Sequence, residues 1–287
     1  MSSYDYFAHQ SSDAMKPKLS VVIPVYNEAK DVGLMIRKIK QIVESAPIQP
    51  PLLYEIVVVD DGSRDNTFAI LEAMQKEDPH FRAISYKPNR GKGYATKMGI
   101  MASRGEIVIF VDLDPEMEIS PELIANYYYE VDDSCDLVIA SKKHPLSKVN
   151  SNAYRSFLST SFRFLSKELV GIREISDTQV GLKVGKGELL RRIFEITTIR
   201  RYAFDVEFLM IALMLNANIR ELPIILKSTD TRFRIVEMAR MFMDIVKISY
   251  RHRINHWYQK KLGEPRLHMG EDLQNQGEDL HNQIQFH

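Results

Sequence analysis

The sequence predicts an α/β protein with a mostly parallel central sheet flanked by helices. From residue 19 onward, apolar segments of strand length alternate with helical patterns of about ten to fifteen residues, an order typical of right-handed βαβ units. Two of the apolar segments, 56–59 and 107–111, consist almost entirely of Val and Ile. Such runs are expected in strands that are buried on both faces of a parallel sheet. With 287 residues, 45% of them hydrophobic, the chain can form one large domain or two small ones.

The predicted strands and helices alternate along the first half of the chain. Capping signals support two of the helices, because Asp65 or Asn66 precedes one and Ser120 precedes a proline at the first position of another. A later helix, rich in aromatic and basic residues, is predicted around 154–169. Strands are predicted at 19–25, 54–59, 81–86, 107–112 and 136–140, and helices at 31–44, 65–76, 92–103 and from residue 121.

Two of the predicted strands end in pairs of acidic residues. Asp60 and Asp61 follow the second strand, and Asp112 and Asp114 follow the fourth. Ligands in open α/β sheets bind outside the carboxyl ends of parallel strands, so these four carboxylates lie at a candidate ligand site. The Asp-x-Asp alternation directs the last two side chains to the same side, which suits a hard divalent cation and the phosphates that it carries. Either pair taken alone could simply cap a turn.

Two further segments are expected at the same edge of the sheet. Residues 24–28 follow the first strand, and the Gly-rich segment 89–93 opens a helix with Arg and Lys, a composition that can hold phosphate. This segment matches neither a P-loop nor the dinucleotide-binding fingerprint. Four segments in this order favour one shared ligand site over four independent turns.

Composition and charge exclude several classes of protein. The 38 basic and 38 acidic residues balance, so the molecule as a whole offers no electrostatic argument for nucleic-acid binding. Cys135 is the only cysteine, which excludes an internal disulfide and a cysteine-based metal cluster. Residues 1–18 lack the apolar core of a signal peptide, and no run of 18 apolar residues occurs. We therefore expect a cytoplasmic chain that does not span a bilayer.

The stretch 233–258 has the pattern of a basic amphipathic helix. Apolar residues recur at helical spacing among many Lys and Arg residues, and Trp257 and Tyr258 are predicted to act as aromatic anchors at a membrane surface. The same pattern also fits a final helix that packs on the domain and exposes a basic face. Beyond it, residues 270–276 and 277–283 form a tandem repeat that is too poor in apolar residues to bury a core, so disorder is predicted.

Six segments together resemble the inverting family-2 glycosyltransferases of the GT-A fold. The two last segments are most similar to those of dolichyl-phosphate glucosyltransferases and dolichyl-phosphate mannose synthases. The resemblance extends over about 19–227 and implies a GT-A domain at 19–230. The sequence pattern itself predicts a disordered tail at 1–18, a basic helical extension at 231–263 and a polar tail at 264–287. The segments are VVIPVYNE at 21–28, VDDGSRD at 59–65, NRGKGYA at 89–95, DLD at 112–114, DTQVGLK at 177–183 and RYAFDVE at 201–207.

The resemblance also implies which residues bind the nucleotide sugar and its metal ion. Lys92 would lie near the nucleotide, and Asp112 and Asp114 would bind Mg²⁺ or Mn²⁺ on the diphosphate. The implied third metal ligand is Glu116, at the position where mannose synthases carry a glutamine. The residues that would surround the base and the ribose are Pro24, Tyr26, Glu28, Asp60 and Asp61.

A cationic site for an acceptor phosphate is implied at Lys142 and Arg155, with Ser159 and Arg163 nearby. Together with Asp114, the first two are the candidate catalytic residues. Lys142 replaces an arginine of the family, which keeps the charge but gives up bidentate geometry.

The sequence thus predicts a metal-dependent transferase that moves a hexose from a nucleoside-diphosphate sugar, UDP-glucose or GDP-mannose, to a polyprenyl or dolichyl phosphate. Glucose is preferred over mannose, and the enzyme is expected to be peripheral on the cytosolic face of a membrane. One alternative is a soluble family-2 enzyme with a glycan or protein hydroxyl acceptor, which would need Asp205 or Glu207 as a base. Another is a non-catalytic module that binds nucleotide sugars or a membrane surface. For Asp205 and Glu207, structural roles are preferred over base catalysis.

Overall fold

The computed structural model describes residues 16–49, 52–114, 116–149, 166–227 and 235–263. Its centre is a seven-stranded sheet in the order β3-β2-β1-β4-β7-β5-β8, and β6 pairs with β9 in a small separate sheet. The strands are β1 (Leu19–Val25), β2 (Tyr54–Asp60), β3 (Phe81–Ser85), β4 (Ile107–Val111), β5 (Leu137–Ser141), β6 (Lys148–Val149), β7 (Leu182–Lys186), β8 (Ile219–Pro223) and β9 (Ile225–Leu226).

All strands of the large sheet are parallel except β7, which runs antiparallel to both of its neighbours, β4 and β5. The predicted mostly parallel sheet is therefore confirmed. The sequence pattern does not predict β7, because its central residues combine a glycine with a buried lysine. Its antiparallel direction pairs Leu182 with Val111, so the chain segment just before β7 arrives at the carboxyl ends of the parallel strands.

Two apolar cores cover the two faces of the sheet. Along β2, Ile56 and Val58 belong to one core, whereas Val57 and Val59 belong to the other, as the alternation of side chains along a strand requires. The helices that close these cores are α1 (Val32–Ser45), α2 (Thr67–Glu77), α3 (Lys92–Ala102), α4 (Pro121–Tyr129), α5 (Gly187–Ile196), α6 (Phe204–Met214), α7 (Ile235–Ser249) and α8 (Trp257–Gly263).

The predicted boundaries of the first four helices lie within two residues of the observed ones. Ser120 caps α4 as predicted, because its Oγ accepts a hydrogen bond from the Leu123 N–H at 3.2 Å. Asp65 accepts the Thr67 N–H at 3.1 Å, whereas the Asn66 side chain makes no capping hydrogen bond. Most of the helix predicted at 154–169 lies outside the described residues, and a π-helical turn covers Ser166–Val170.

The C-terminal stretch is not one continuous helix. A π-helical turn at Tyr250–Ile254 follows α7, and His256 has a φ of 50° before α8 begins. Because of this break, Tyr258 is fully buried in the domain core and Trp257 is partly buried, so the expectation that Tyr258 anchors a membrane surface is wrong. Within the described part of the chain, no helix combines the length and the apolar character needed to cross a bilayer.

Candidate functional site

The carboxyl ends of β1, β2 and β4 bring the predicted segments to one edge of the sheet. Val25 at the end of β1 lies opposite Asp60 in the parallel register, and the Asp61 N–H donates to the Val25 carbonyl at 2.9 Å. On the other side of β1, the Asp112 N–H donates to the Gly181 carbonyl at 2.8 Å. The acidic residues after β2 and β4 therefore face the same edge, together with the segment that precedes β7.

Asp61 organises the loop between β3 and α3. Its carboxylate accepts hydrogen bonds from the Tyr86 hydroxyl, the Asn89 side-chain amide and the backbone N–H of Arg90, each at 2.8 Å. The Gly91 N–H donates to the same carboxylate at 2.8 Å. Burial and the Asp61 charge raise the pKa of Tyr86, which keeps the hydroxyl protonated as a donor. Both Asp61 oxygens are thus engaged in holding this loop beside the site.

Asp60 holds the turn that follows β2. One of its carboxylate oxygens accepts the Ser63 N–H at 3.0 Å, and the other accepts the Ser85 hydroxyl at 2.8 Å. Gly62 in this turn has a φ of 70°, and a Cβ there would lie 2.7 Å from the Asn89 nitrogen. The close approach of the two loops therefore requires glycine at this position.

The end of β1 and the residues that follow it include the more accessible of the predicted nucleotide-binding residues. Tyr26 is exposed, whereas Pro24 and Glu28 are partly buried. Burial raises the pKa of the Glu28 carboxyl, and the nearby charges of Asp31 and Asp65 act in the same direction. The Tyr26 ring is therefore the side chain of this segment that is best placed to contact a ligand from solvent.

Lys92 and Asp112 form an ion pair across the site. The Lys92 Nζ lies 2.5 Å from Asp112 Oδ2, which joins the first turn of α3 to the end of β4. Burial by itself lowers the pKa of Lys92, but the carboxylates of Asp112 and Asp205 outweigh that effect and raise it overall. Lys92 therefore carries its positive charge at neutral pH, at the point where a diphosphate is predicted to bind.

Gly181 is a site residue that the sequence analysis did not single out. A Cβ at this position would lie 2.0 Å from Asp112 Oδ2, so only glycine leaves room for the carboxylate where it stands. The residue does belong to one of the six segments that carry the family resemblance. What the sequence lacks is any sign that β7 returns beside β4, since their pairing joins distant parts of the chain.

Asp114 and Asp112 are compatible with a divalent cation. Asp114 Oδ1 accepts the Glu116 N–H at 2.9 Å, and both aspartates remain partly exposed. Among the described residues, no group of three or more His, Cys, Asp or Glu side chains gathers as a complete metal site. A Mg²⁺ ion that also binds phosphates needs only one or two protein carboxylates, so this pair fits such an ion. Glu116 as a third ligand stays a prediction.

The predicted acceptor residues lie largely outside the described part of the chain. Arg155, Ser159 and Arg163 belong to the undescribed segment 150–165. Lys142 follows β5 at the same edge of the sheet, and its Nζ lies 3.5 Å from the buried Asp177 carboxylate. The Lys142 N–H also donates to that carboxylate, at 3.0 Å. Its charge is therefore partly balanced in the absence of a substrate.

A buried ion pair supports the segment beside Asp112. The Lys183 Nζ lies 2.6 Å from Asp205 Oδ1 and also donates to the Val180 carbonyl at 2.7 Å. The side chains of Lys183 and Asp205 are only 2% and 5% exposed. Burial raises the pKa of the Asp205 carboxyl, while the charges of Lys183 and Lys92 oppose that shift. This pair holds the start of β7 in place.

Glu207 is fully buried and joins three parts of the domain. Its carboxylate accepts the N–H groups of Thr198 and Ile199 at 2.8 and 2.7 Å, and the Thr198 hydroxyl at 2.7 Å. The Tyr258 hydroxyl of α8 donates to it at 2.6 Å. Both Glu207 and Asp205 are thus committed to buried contacts, which agrees with the structural roles preferred for them and disfavours either as a base.

Comparison with known families gives one match over most of the domain. The model of the family described as "Glycosyl transferase family 2" matches residues 20–206. This range includes every segment described above at the edge of the sheet, and it ends within α6.

Several curated relatives are about one third identical to this chain over the matched residues. A dolichyl-phosphate beta-glucosyltransferase of Trichomonas vaginalis is 31% identical over 251 residues, which cover 83% of this chain and 73% of the relative. The enzyme of the same name from Dictyostelium discoideum is 32% identical, with coverage of 83% and 76%. The human enzyme of that name is 33% identical, with coverage of 74% and 68%.

Solved structures of lower identity share the fold. Glucosyl-3-phosphoglycerate synthase from Mycobacterium tuberculosis, in complex with Mn²⁺ and UDP-glucose, has a TM-score of 0.58 and 18% identity, with coverage of 87% of this chain and 80% of its own. Mannosyl-3-phosphoglycerate synthase from Rubrobacter xylanophilus has a TM-score of 0.60 and 20% identity, with coverage of 89% and 78%. These likenesses confirm the predicted GT-A fold.

Proposed function

Since this chain belongs to glycosyl transferase family 2 and is a glycosyltransferase, we propose that it moves glucose, or less readily mannose, from a nucleoside-diphosphate sugar to dolichyl or polyprenyl phosphate. The transfer inverts the configuration at the anomeric carbon. The observation that carries the proposal is the meeting of Lys92, Asp112 and Asp114 at the carboxyl edge of the sheet, in a chain whose relatives bear the name dolichyl-phosphate beta-glucosyltransferase.

In this proposal the donor lies along the carboxyl ends of β1, β2 and β4. Tyr26 and Glu28 contact the base and the ribose, and the turn held by Asp60 and the loop held by Asp61 form the wall of that site. UDP-glucose is the preferred donor and GDP-mannose is the next candidate. Lys92 remains protonated, so it can turn from Asp112 to the anionic diphosphate when the donor binds.

Asp112 and Asp114 would hold the Mg²⁺ or Mn²⁺ ion, with Glu116 as the proposed third ligand. When bound, this ion supplies a Lewis acid that stabilises the negative charge on the departing nucleoside diphosphate. The two aspartates support this role because both are partly exposed hard-oxygen donors at the end of one strand.

The proposed acceptor requires cationic side chains to bind its phosphate and does not require a base. A lipid monophosphate is anionic at neutral pH, so no side chain has to remove a proton from its oxygen. Lys142 and Arg155 would bind this phosphate, with Ser159 and Arg163 beside them. The burial of Asp205 and Glu207 supports this acceptor over a hydroxyl group. Because the acceptor is a lipid, the enzyme would act as a peripheral protein on the cytosolic face of a membrane.

Transfer of label into an organic phase tests the proposed function. The full chain is incubated with Mn²⁺ or Mg²⁺, radiolabelled UDP-glucose or GDP-mannose, and a short polyprenyl phosphate. We expect label from UDP-glucose to enter the organic phase, and we expect chelation of the metal ion to stop the transfer. Label that moves only to water-soluble acceptors would contradict the lipid-phosphate acceptor, and the absence of transfer from any donor would favour a binding module.

Gly181→Ala is expected to reduce kcat/KM about 100-fold, because the added Cβ must displace the Asp112 carboxylate, and small misplacements of site groups have effects of that size. Gly33→Ala in α1 is the matched control, since a Cβ there would meet its nearest atom, Arg37 Nη2, at 3.4 Å. The control should keep its activity. If both variants keep wild-type kcat/KM, the position of Asp112 does not matter for transfer.

A further inference from the structure

Helix α7 and the π-helical turn after it carry a buried apolar face and, adjoining it, an exposed one. The first face, formed by Met241, Ile245 and Ile248, is buried against the domain. The second is exposed and contains side chains that follow one another at intervals of four residues. This exposed stripe consists of Phe242, Val246, Tyr250 and Ile254, which are 44%, 39%, 55% and 68% exposed.

The spacing places the exposed stripe on one side of the helix. Residues four positions apart lie nearly above one another, so Phe242 and Val246 share a face. Val246 is turned away from Ile248, and Phe242 lies at the border of this face, next to Ile245. A surface helix ordinarily needs a single apolar face to pack on its domain. The second face remains exposed, and Met243 widens it with a side chain that is 53% exposed.

The described part of the chain cannot easily cover the stripe by turning the helix inward. Ile245 and Ile248 are fully buried, and the Ser249 hydroxyl donates to the Leu169 carbonyl at 2.7 Å. Farther along, the Tyr258 hydroxyl is bonded to the buried Glu207. A rotation that buried the stripe would break these contacts and expose the first apolar face instead.

The segment that carries the exposed stripe is rich in basic residues. Residues 239–263 contain six Lys and Arg residues and a single acid, Asp244, in a chain whose formal net charge is zero. Lys247 and Arg253 are both exposed beside the stripe. An apolar strip with a basic border matches a bilayer that carries anionic headgroups, which takes up apolar side chains and attracts the cations. Two copies of this chain joined through their stripes would instead bring like charges together.

We propose that the exposed stripe, bordered by Lys247 and Arg253, docks this enzyme on the surface of an anionic lipid bilayer. The inference rests on the proposed function, because a lipid acceptor gives the docking its purpose. Because Tyr258 is buried, the membrane contact is assigned instead to the residues of the exposed stripe, which can enter the headgroup region. Since α7 is packed firmly on the domain, docking would also orient the catalytic site relative to the membrane.

Vesicle sedimentation of the full chain tests this surface. We expect binding to vesicles of phosphatidylcholine with phosphatidylserine, and the binding should weaken with added salt. Phe242→Ser with Ile254→Ser should lower the affinity at least about tenfold. Leu34→Ser with Leu146→Ser is the matched control, because these leucines are 70% and 73% exposed elsewhere. The control should bind like the wild type, and the unfolding midpoint checks that both variants are folded.

Two further measurements separate the possible failures. Lys247→Gln with Arg253→Gln should weaken binding to the anionic vesicles and leave binding to pure phosphatidylcholine unchanged. With a short, water-soluble polyprenyl phosphate the stripe variant should keep wild-type kcat/KM, whereas transfer to a vesicle-embedded acceptor should fall. Equal vesicle binding by the stripe variant and the wild type would overturn the docking surface. A wild-type dimer in light scattering that the stripe substitutions convert to monomer would overturn it as well. Vesicle binding without any sugar transfer would overturn only the proposed function.

Discussion

Asp114→Asn is expected to lower kcat/KM by about 100-fold or more, the usual order for removing an electrostatic contact that stabilises developing charge. Asparagine has nearly the same shape, and its side-chain oxygen can still accept the Glu116 N–H that Asp114 accepts at 2.9 Å. The turn after β4 should therefore persist, and the loss should reflect the missing negative charge toward the metal ion. The rate at which label enters the organic phase measures the effect.

The dependence on Mn²⁺ makes this test specific. If Asp114 binds the ion, the residual activity of Asp114→Asn should need more Mn²⁺ to reach half of its maximum than the wild type does. Asp133→Asn, which removes a carboxylate from an exposed turn, serves as the control and should change neither value. Wild-type transfer at an unchanged Mn²⁺ requirement in Asp114→Asn would refute metal binding by this residue.

Lys183→Met is expected to lower the free energy of unfolding by about 3–5 kcal/mol, because it leaves the buried Asp205 carboxylate without its ion-pair partner. Urea unfolding measures the change. Lys18→Met is the matched control: its ion pair with Glu106 has a similar length of 2.7 Å, but both side chains are more than half exposed. Exposed surface pairs contribute little to stability, so the control should change the free energy of unfolding little.

The loss in Lys183→Met should depend on pH. Burial already raises the pKa of Asp205, and removal of the Lys183 charge raises it further. The native variant then binds a proton more readily than its unfolded chain, so its stability falls as pH rises and recovers under acidic conditions. A second change, Asp205→Leu, should restore part of the stability at neutral pH. A loss that is independent of pH and equal to that of Lys18→Met would contradict the buried ion pair.

Local sequence patterns predicted the strands that carry the candidate donor site. The β-branched runs before Asp60 and Asp112 identify buried parallel strands, and the carboxyl ends of such strands meet at one edge whatever the rest of the chain does. The prediction that Asp112 and Lys92 approach the same point was therefore possible without coordinates. In the structure, Lys92 Nζ lies 2.5 Å from Asp112 Oδ2, as expected for segments that meet at one edge of the sheet.

The tertiary structure decided the contacts that depend on distant pairing. The antiparallel course of β7 places Gly181 against Asp112 and buries Lys183 beside Asp205. No local sequence pattern predicts either contact. In the same way, helical spacing identifies the apolar residues of 233–258. It does not predict the break near His256, after which the Tyr258 side chain is buried in the core.

By itself, the sequence determined the α/β class, the edge at which the candidate site lies and the acids that line that edge, because these features follow from short-range periodicity and strand order. Only the tertiary structure decided which glycine makes room for Asp112, which lysine neutralises Asp205 and which apolar face of α7 remains outside. Those outcomes depend on how segments far apart in the chain pack together, and packing selects among side chains that hydrophobicity alone does not distinguish.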